Sequence, residues 1–227
     1  MPIMTNEILS ALSSETRERL ADALEPVELA DGQVLCESGA EIRRVYFPGN
    51  AVISIVQIMR EGSAAEIGMI GREGACGLDA ILREGVATAR NICQVPGTAW
   101  SLTSGRLREA IAECDDLRRS LLRYVGGYCA MLAQLIACNR LHRTEQRCAR
   151  WLLMTQDRIR EPVFPMTQER LSVMLGAQRP SVTATMTALR EDGCVENSRG
   201  QVHIVDRKRL ESHACECYAL CAAFFDL

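Results

Sequence analysis

Residues 166–193 read Met-Thr-Gln-Glu-Arg-Leu-Ser-Val-Met-Leu-Gly-Ala-Gln-Arg-Pro-Ser-Val-Thr-Ala-Thr-Met-Thr-Ala-Leu-Arg-Glu-Asp-Gly. Thr167 is placed to N-cap a first helix that carries Leu171, Val173, Met174 and Leu175 and stops at Gly176, a residue free to take positive φ. A second helix opens with Pro180 in its first turn, where the missing N–H costs least, and runs through Val182, Met186 and Leu189 to Gly193. Two short helices, broken by a glycine just ahead of an arginine-bearing helix start, predict a helix-turn-helix. Cys194-Val195-Glu196, the turn Asn197-Ser198-Arg199-Gly200 and Gln201-Val202-His203-Ile204-Val205 then predict a β-hairpin, which reads as a wing. An αα-hairpin that only packs would show the same helical pattern; the wing turns the reading toward DNA.

The charge distribution agrees with that reading once it is split along the chain. The whole chain of 227 residues carries a net charge of −3. Residues 140–209 hold 13 Arg plus Lys against 8 Asp plus Glu, a net +5, whereas residues 1–140 hold 14 Arg against 18 acids, a net −4. Positive charge gathers where the helix-turn-helix lies, as phosphate contacts require. At this length the chain divides into two domains, each able to bury its own core. The N-terminus lacks the apolar core of a signal peptide, and no window holds the ~18–20 apolar residues of a membrane span, so a cytoplasmic protein with reduced thiols is expected.

Ahead of the helix-turn-helix the pattern changes twice. Ile8, Leu9, Leu12, Leu20 and Leu24 predict two short helices, the second capped at Ser13 or Ser14. Residues 27–103 are short β-branched runs cut by Asp31-Gly32, Pro48-Gly49-Asn50, Glu61-Gly62 and Pro96-Gly97, which predicts an all-β sandwich or jelly roll. A short helix over residues 104–115 follows. Leu117, Leu121, Tyr124, Tyr128, Met131, Leu135 and Cys138 then fall at steps of four and three, a heptad seam, with Leu122, Val125, Leu132 and Ile136 on an adjacent stripe. One stripe can pack on the β-rich domain and the other on a partner helix, which predicts a two-fold dimer through this helix with the seam residues as its contacts, although a helix lying on its own domain shows the same spacing. Gly126-Gly127 marks either a close approach or a flexible point. Thr144 can cap a further helix reaching about Arg158, and Glu161-Pro162-Val163-Phe164-Pro165 reads as a rigid connector.

Chemistry-bearing residues are sparse. The histidines are His142, His203 and His213, all beyond the β-rich part, which disfavours both histidine-ligated haem there and an acid–base enzyme. Of 11 cysteines only Cys215, Cys217 and Cys221 cluster, at a spacing that matches neither the usual zinc pairs nor a ferredoxin run, so no metal site is expected. Most thiols are read as buried and inert, with Cys76 and Cys93 the remaining candidates for a reactive one.

An acidic β-roll, a long helix and a basic winged helix-turn-helix together resemble the Crp/Fnr family of transcription regulators. Val45-Tyr46-Phe47-Pro48-Gly49, Glu66-Ile67-Gly68 and Gly71-Arg72-Glu73-Gly74 are similar to the family's strand and loop motifs. Cys138-Asn139-Arg140-Leu141-His142, Arg150-Trp151-Leu152-Leu153, the run from Met174 to Thr183 and Cys215-Glu216-Cys217-Tyr218 are similar to those of one subgroup. The resemblance implies an effector sensed at the β-roll, two-fold DNA binding and contact with RNA polymerase. It also shows departures. Where cyclic-nucleotide binders of the family carry a glutamate and, farther on, an arginine for the ribose and phosphate, this chain has Leu78 and Thr88, unless Asp79 and Arg90 take over; cyclic-nucleotide binding is disfavoured. The cysteine group that holds an iron–sulfur cluster in some members is missing, since the first cysteine is Cys36. Arg179 matches the family's guanine-reading arginine, but Pro180 and Ala184 replace the glutamate and second arginine, so a different half-site is implied.

The expected fold class is thus α+β: a β-roll of cyclic-nucleotide-binding type with N-terminal helices over residues 1–115, a dimerisation helix over 116–141 and a winged helix-turn-helix over 142–227. Gln178 and Arg179 are placed to read bases in the major groove; Thr167, Ser181, Thr183 and Thr185 to reach phosphate or base edges; and Arg199 at the wing tip to touch the backbone. Arg140, Arg143 and Arg147 either approach phosphate or pair with nearby acids. The expected function is sequence-specific DNA binding by a homodimer on a palindromic operator, allosterically controlled by an unnamed effector, with duplex DNA, a second copy and RNA polymerase as partners and no membrane. A constitutive binder with an effector-free β-roll and a thiol-based redox sensor are the alternatives.

Overall fold

In the computed structural model, which describes residues 5–83 and 85–225, the chain forms two compact units. The first comprises Met1–Ile58 and Ile67–Gly126; the second comprises Met59–Glu66 and Gly127–Leu227. The division falls inside the long helix rather than after it, at Gly126-Gly127.

The first unit opens with α1 (Glu7–Ser10) and α2 (Ser14–Ala21), the second capped by Ser13, whose side chain accepts from Thr16 N. The strands are β1 (Glu25–Leu29), β2 (Val34–Cys36), β3 (Arg44–Pro48), β4 (Val52–Ile58), β5 (Ala64–Ile70), β6 (Arg90–Val95) and β7 (Gly97–Thr103), with α3 (Asp79–Leu82) ahead of β6 and α4 (Ser104–Glu113) after β7. They form two antiparallel layers, ordered β1-β7-β3 and β2-β6-β4-β5. Register follows the period of two: Val45 faces Leu102 and Phe47 faces Trp100 across β3 and β7, so that Val45, Phe47 and Leu102 enter the core beside Val52, Ile53 and Met69.

The long helix, α5 (Asp115–Leu141), starts with two acids in its first turn, where they favour the helix dipole. The Asp116 carboxylate accepts from Ser13 N at 2.9 Å and from Thr16 Oγ1 at 2.7 Å, and these bonds hold its pKa down to about 2. The heptad seam expected to form a dimer is core of the chain itself: Leu117, Leu121, Tyr124, Met131, Leu135 and Cys138 are buried and Tyr128 is half-buried. This corrects the expected dimer contact, because side chains packed against their own chain offer no face to a partner. The exposed stripe is the neighbouring one, with Leu122 57% and Ile136 68% exposed. With one apolar stripe turned in and another turned out, α5 is long and apolar enough by length and hydropathy to cross a membrane.

The second unit continues with α6 (Thr144–Ile159), β8 (Val163–Pro165), α7 (Gln168–Leu175), α8 (Arg179–Glu191), β9 (Val195–Ser198), β10 (Gln201–Ile204), α9 (Arg207–His213) and α10 (Cys217–Ala223). Its core is Trp151, Leu152, Leu153, Phe164, Val182, Leu189 and Leu210. Trp151 Nε1 donates to Glu66 at 2.7 Å. The expected connector at residues 161–165 is instead an edge strand: β8 pairs with β10, and the wing is a three-stranded sheet ordered β8-β10-β9. Proline at its end suits an edge position, where one row of backbone donors needs no partner. Near the C-terminus α10 buries Cys217 and Cys221.

Candidate nucleic-acid interface

Two helix ends and one turn build this surface. Thr167 caps α7 by accepting from Arg170 N at 3.2 Å, and Gly176 ends that helix at φ 55°, the left-handed conformation in which glycine meets no Cβ penalty. The turn is held from below, since Arg147 donates to the Leu175 carbonyl and its Nε to Asn139 at 3.2 Å. Of Arg140, Arg143 and Arg147, the last is therefore a packing residue, while the first two are exposed.

α8 then leaves with Pro180 in its first turn and with no side chain capping its N-terminus, so its first N–H groups stay open to an acceptor. Gln178, Arg179, Ser181 and Thr183 are exposed, as are Ala184 and Ala188. Thr183 Oγ1 donates to Gln168 Oε1 at 2.8 Å, tying the two helices together on the exposed side. Thr185 is only 8% exposed, which removes it from the expected contacts. It lies on the inward stripe three residues after Val182 and four before Leu189, and helical period turns it into the core.

The wing turn places Arg199 and Gly200 at the tip, with φ of 49° and 78°, between the paired residues Ser198 and Gln201. Positive φ at both central residues is the type I′ hairpin geometry. A groove enclosing about 460 Å³ separates the tip from the two helix starts and is lined by Thr167, Gln168, Arg179, Asn197, Arg199 and Gln201 among others. It brings together three of the expected contacts, Thr167, Arg179 and Arg199, and adds Gln168, Asn197 and Gln201, which sequence reasoning missed. Their polarity in a short hairpin and at a helix start was visible, but nothing local tells that they share a groove.

The far side of this unit is held by charge. Both ring nitrogens of His213, at the end of α9, face carboxylates: Nε2 lies 2.7 Å from Asp192 Oδ2 and Nδ1 2.8 Å from Glu145 Oε1. The Asp192 hydrogen bond, helped by the one to Glu145, raises the His213 pKa against its partial burial.

The cysteines divide by burial. Cys76 is buried and its thiol is pushed far up by desolvation, and Cys93 is buried with Sγ donating to the Val95 carbonyl at 3.2 Å, so neither fits the reactive thiol considered for it. Cys129 on α5 is exposed. Cys138, Cys215 and Cys217 meet His142 in one cluster, a grouping of possible metal ligands that sequence spacing did not reveal.

Residues 146–213 match the model of the Crp-like helix-turn-helix domain, and residues 26–114 match that of the cyclic nucleotide-binding domain. No curated relative matches the sequence. Among solved structures the chain is similar to a Crp/Fnr-family transcriptional regulator from Thermus thermophilus, at 18% identity over 84% of this chain and 98% of that one, with a TM-score of 0.67. It is similar to FixK2 from Bradyrhizobium japonicum at 13% identity over 85% and 98% of the two chains, with a TM-score of 0.68. The regulator CLP of Xanthomonas campestris, described as c-di-GMP-responsive, is similar at 12% identity over 86% and 100%, with a TM-score of 0.67. At such identities the structures speak for the fold, and the two domain models, in this order along one chain, speak for the family. A β-roll that matches the cyclic nucleotide-binding domain model, followed by a long helix and a Crp-like helix-turn-helix, makes this chain a member of the Crp/Fnr family of transcriptional regulators.

Proposed function

We propose that the chain acts as a homodimer that reads a two-fold symmetric duplex operator, with the N-terminal end of α8 in the major groove and the wing tip on the adjacent backbone. The observation that carries this is the exposed, uncapped start of α8, where Gln178, Arg179, Ser181 and Thr183 stand beside a groove that Arg199 borders from the other side. Arginine pairs bidentately with guanine and glutamine with adenine, while the exposed methyl of Ala184 suits a thymine methyl. Two copies would set their α8 helices about 34 Å apart, one turn of DNA. The partner helix would pack on the second stripe of α5, where Leu122, Cys129 and Ile136 are exposed and Val125 and Leu132 half-buried, and which repeats at steps of three and four. A dimer so bound at a promoter is in a position to contact RNA polymerase.

The effector we propose is not a cyclic nucleotide, because the residues at the corresponding end of the β-roll do not fit a cyclic phosphate. Leu78 is buried, Thr88 is exposed, and Ile42, Ala80 and Ala87 pack together with Cys36. Arg90, the remaining guanidinium there, is paired with Glu37 at 2.8 Å. A phosphate brought into this site would lack the charge partner its burial requires.

Selection of bound duplexes from a random pool, with reduced and oxidised protein in parallel, tests the reading. A palindromic consensus is expected, and Arg179→Ala should cost roughly 1–3 kcal/mol on it while relaxing preference at one base pair per half-site. Equal loss on every sequence would assign Arg179 to phosphate alone, and a consensus without two-fold symmetry would remove the dimer.

A further inference from the structure

The last turn of α5 and the segment leading into α10 bring four donor side chains to one point of the second unit. Cys138, in the last turn of α5, and His142, just past its end with its backbone N–H still bonded to the Cys138 carbonyl, meet Cys215 and Cys217, and their sulfur and ring nitrogen atoms all lie within 4.8 Å of one another. Cys138 Sγ is 3.5 Å from Cys215 Sγ, and His142 Nδ1 is 3.6 Å from Cys217 Sγ. A tetrahedral zinc ion, with bonds of ~2.3 Å to sulfur and ~2.0 Å to nitrogen, spaces its ligand atoms about 3.5–3.8 Å apart, so these gaps have the length of tetrahedral edges. The three cysteines are buried and the histidine side chain is 18% exposed.

The surroundings point the same way. His142 turns its other nitrogen, Nε2, to Glu216 Oε2 at 3.2 Å, the outer carboxylate that commonly orients a metal-bound imidazole. Gln134 Nε2 donates to Cys217 Sγ at 3.1 Å, a bond that a thiolate accepts better than a thiol. Arg150 lies buried beside the cluster, and its charge acts on Cys138. Its Nε has no hydrogen-bond partner, its Nη1 meets only the Met154 sulfur, and among the described residues no carboxylate pairs with it. A buried guanidinium facing neutral thiols is an uncompensated charge. Three thiolates around a divalent ion carry one net negative charge, which would neutralise it.

We propose that Cys138, His142, Cys215 and Cys217 form a closed Cys3His zinc site that fastens α10 to the end of α5. All four positions are filled by protein, which is the arrangement of a structural rather than a catalytic zinc. Binding deprotonates the thiols and releases their protons to solvent, with no change of oxidation state.

The full chain, purified anaerobically with reductant, is analysed for metal by mass spectrometry, then stripped and titrated with Co²⁺ alone. One zinc per chain is expected, together with the intense d–d and sulfur-to-metal charge-transfer bands of tetrahedral thiolate cobalt, saturating at one equivalent. H142C should keep that stoichiometry and strengthen the charge-transfer band, and E216Q should weaken zinc binding about 10–100-fold while leaving the chain folded. A flat cobalt titration of the reduced wild-type chain, bands indifferent to H142C, or a Cys138–Cys215 disulfide in place of the metal would each overturn the site.

Discussion

Arg199 adopts φ 49° at the first central position of a type I′ turn, a place that asparagine and glycine fill with less strain. A non-glycine side chain in the left-handed region costs on the order of 1 kcal/mol, and such strain persists where the side chain serves a purpose. If that purpose is a phosphate contact at the wing tip, Arg199→Asn separates the two effects. Thermal or denaturant unfolding should show the variant equal to or more stable than the wild type by up to about 1 kcal/mol. Operator binding should weaken evenly across sequences, and the slope of log affinity against log salt should fall by about 1. An unchanged salt slope would take Arg199 off the DNA. Thr185 makes the complementary point at this scale: its residue type suits DNA contact, and only its place on the Val182–Leu189 stripe decides against it.

α6, α8 and α9 are joined through one ring. His213 sits between Asp192 at the end of α8 and Glu145 in the first turn of α6, and both neighbours can only accept hydrogen bonds, so both ring nitrogens must donate and the imidazolium is the favoured form. Its pKa in the folded chain is raised above the ordinary value of about 6.5. The stability it contributes is therefore fully present below that ordinary value and is lost as pH rises through the folded pKa. On the acid side the His213 hydrogen bond lowers the Asp192 pKa, so the pair weakens again as pH falls through the folded carboxyl pKa. Melting curves of wild type and His213→Gln should differ most just below the ordinary imidazole value of about 6.5 and converge as pH rises through the raised folded pKa; a difference independent of pH would make the ring a packing element only. How much was legible in the sequence follows from how local each signal is. Gly176, Pro180 and the Asn197–Gly200 turn act within a few residues, and the helices and wing they announce are present. The strand β8 was hidden because three residues ending in proline also read as a linker, and its pairing with β10 is settled some forty residues later. Cys138 and Cys215 stand 77 residues apart, a separation at which no ligand-spacing rule operates.

At the scale of the whole molecule the two stripes of α5 carry different duties. A heptad spacing in sequence tells that a helix has an apolar seam but not which body covers it; here the longer seam is filled by the chain's own side chains, and the second stripe is left partly in solvent, with Val125 and Leu132 half-buried. Leu122 and Ile136 are more than half exposed near the two ends of that stripe, with the exposed Cys129 between them. Large contiguous apolar exposure on a helix marks an association surface. In a parallel two-fold pair, residues at the seam positions meet their own counterparts, so Cys129 would face Cys129 across the axis at the 4.4–6.8 Å Cα separation a disulfide needs, roughly. Mild oxidation with diamide should then convert the chain to a cross-linked dimer on a non-reducing gel, and Cys129→Ser should abolish the cross-link without changing the dimer seen by sedimentation. Ile136→Glu, which places a charge in the same seam, should shift sedimentation toward monomer and with it lower operator affinity, since each half-site would be bound alone. A dimer that survives Ile136→Glu and never cross-links at Cys129 would be built on another face, and the spacing of the two α8 helices would have to be derived from that face instead.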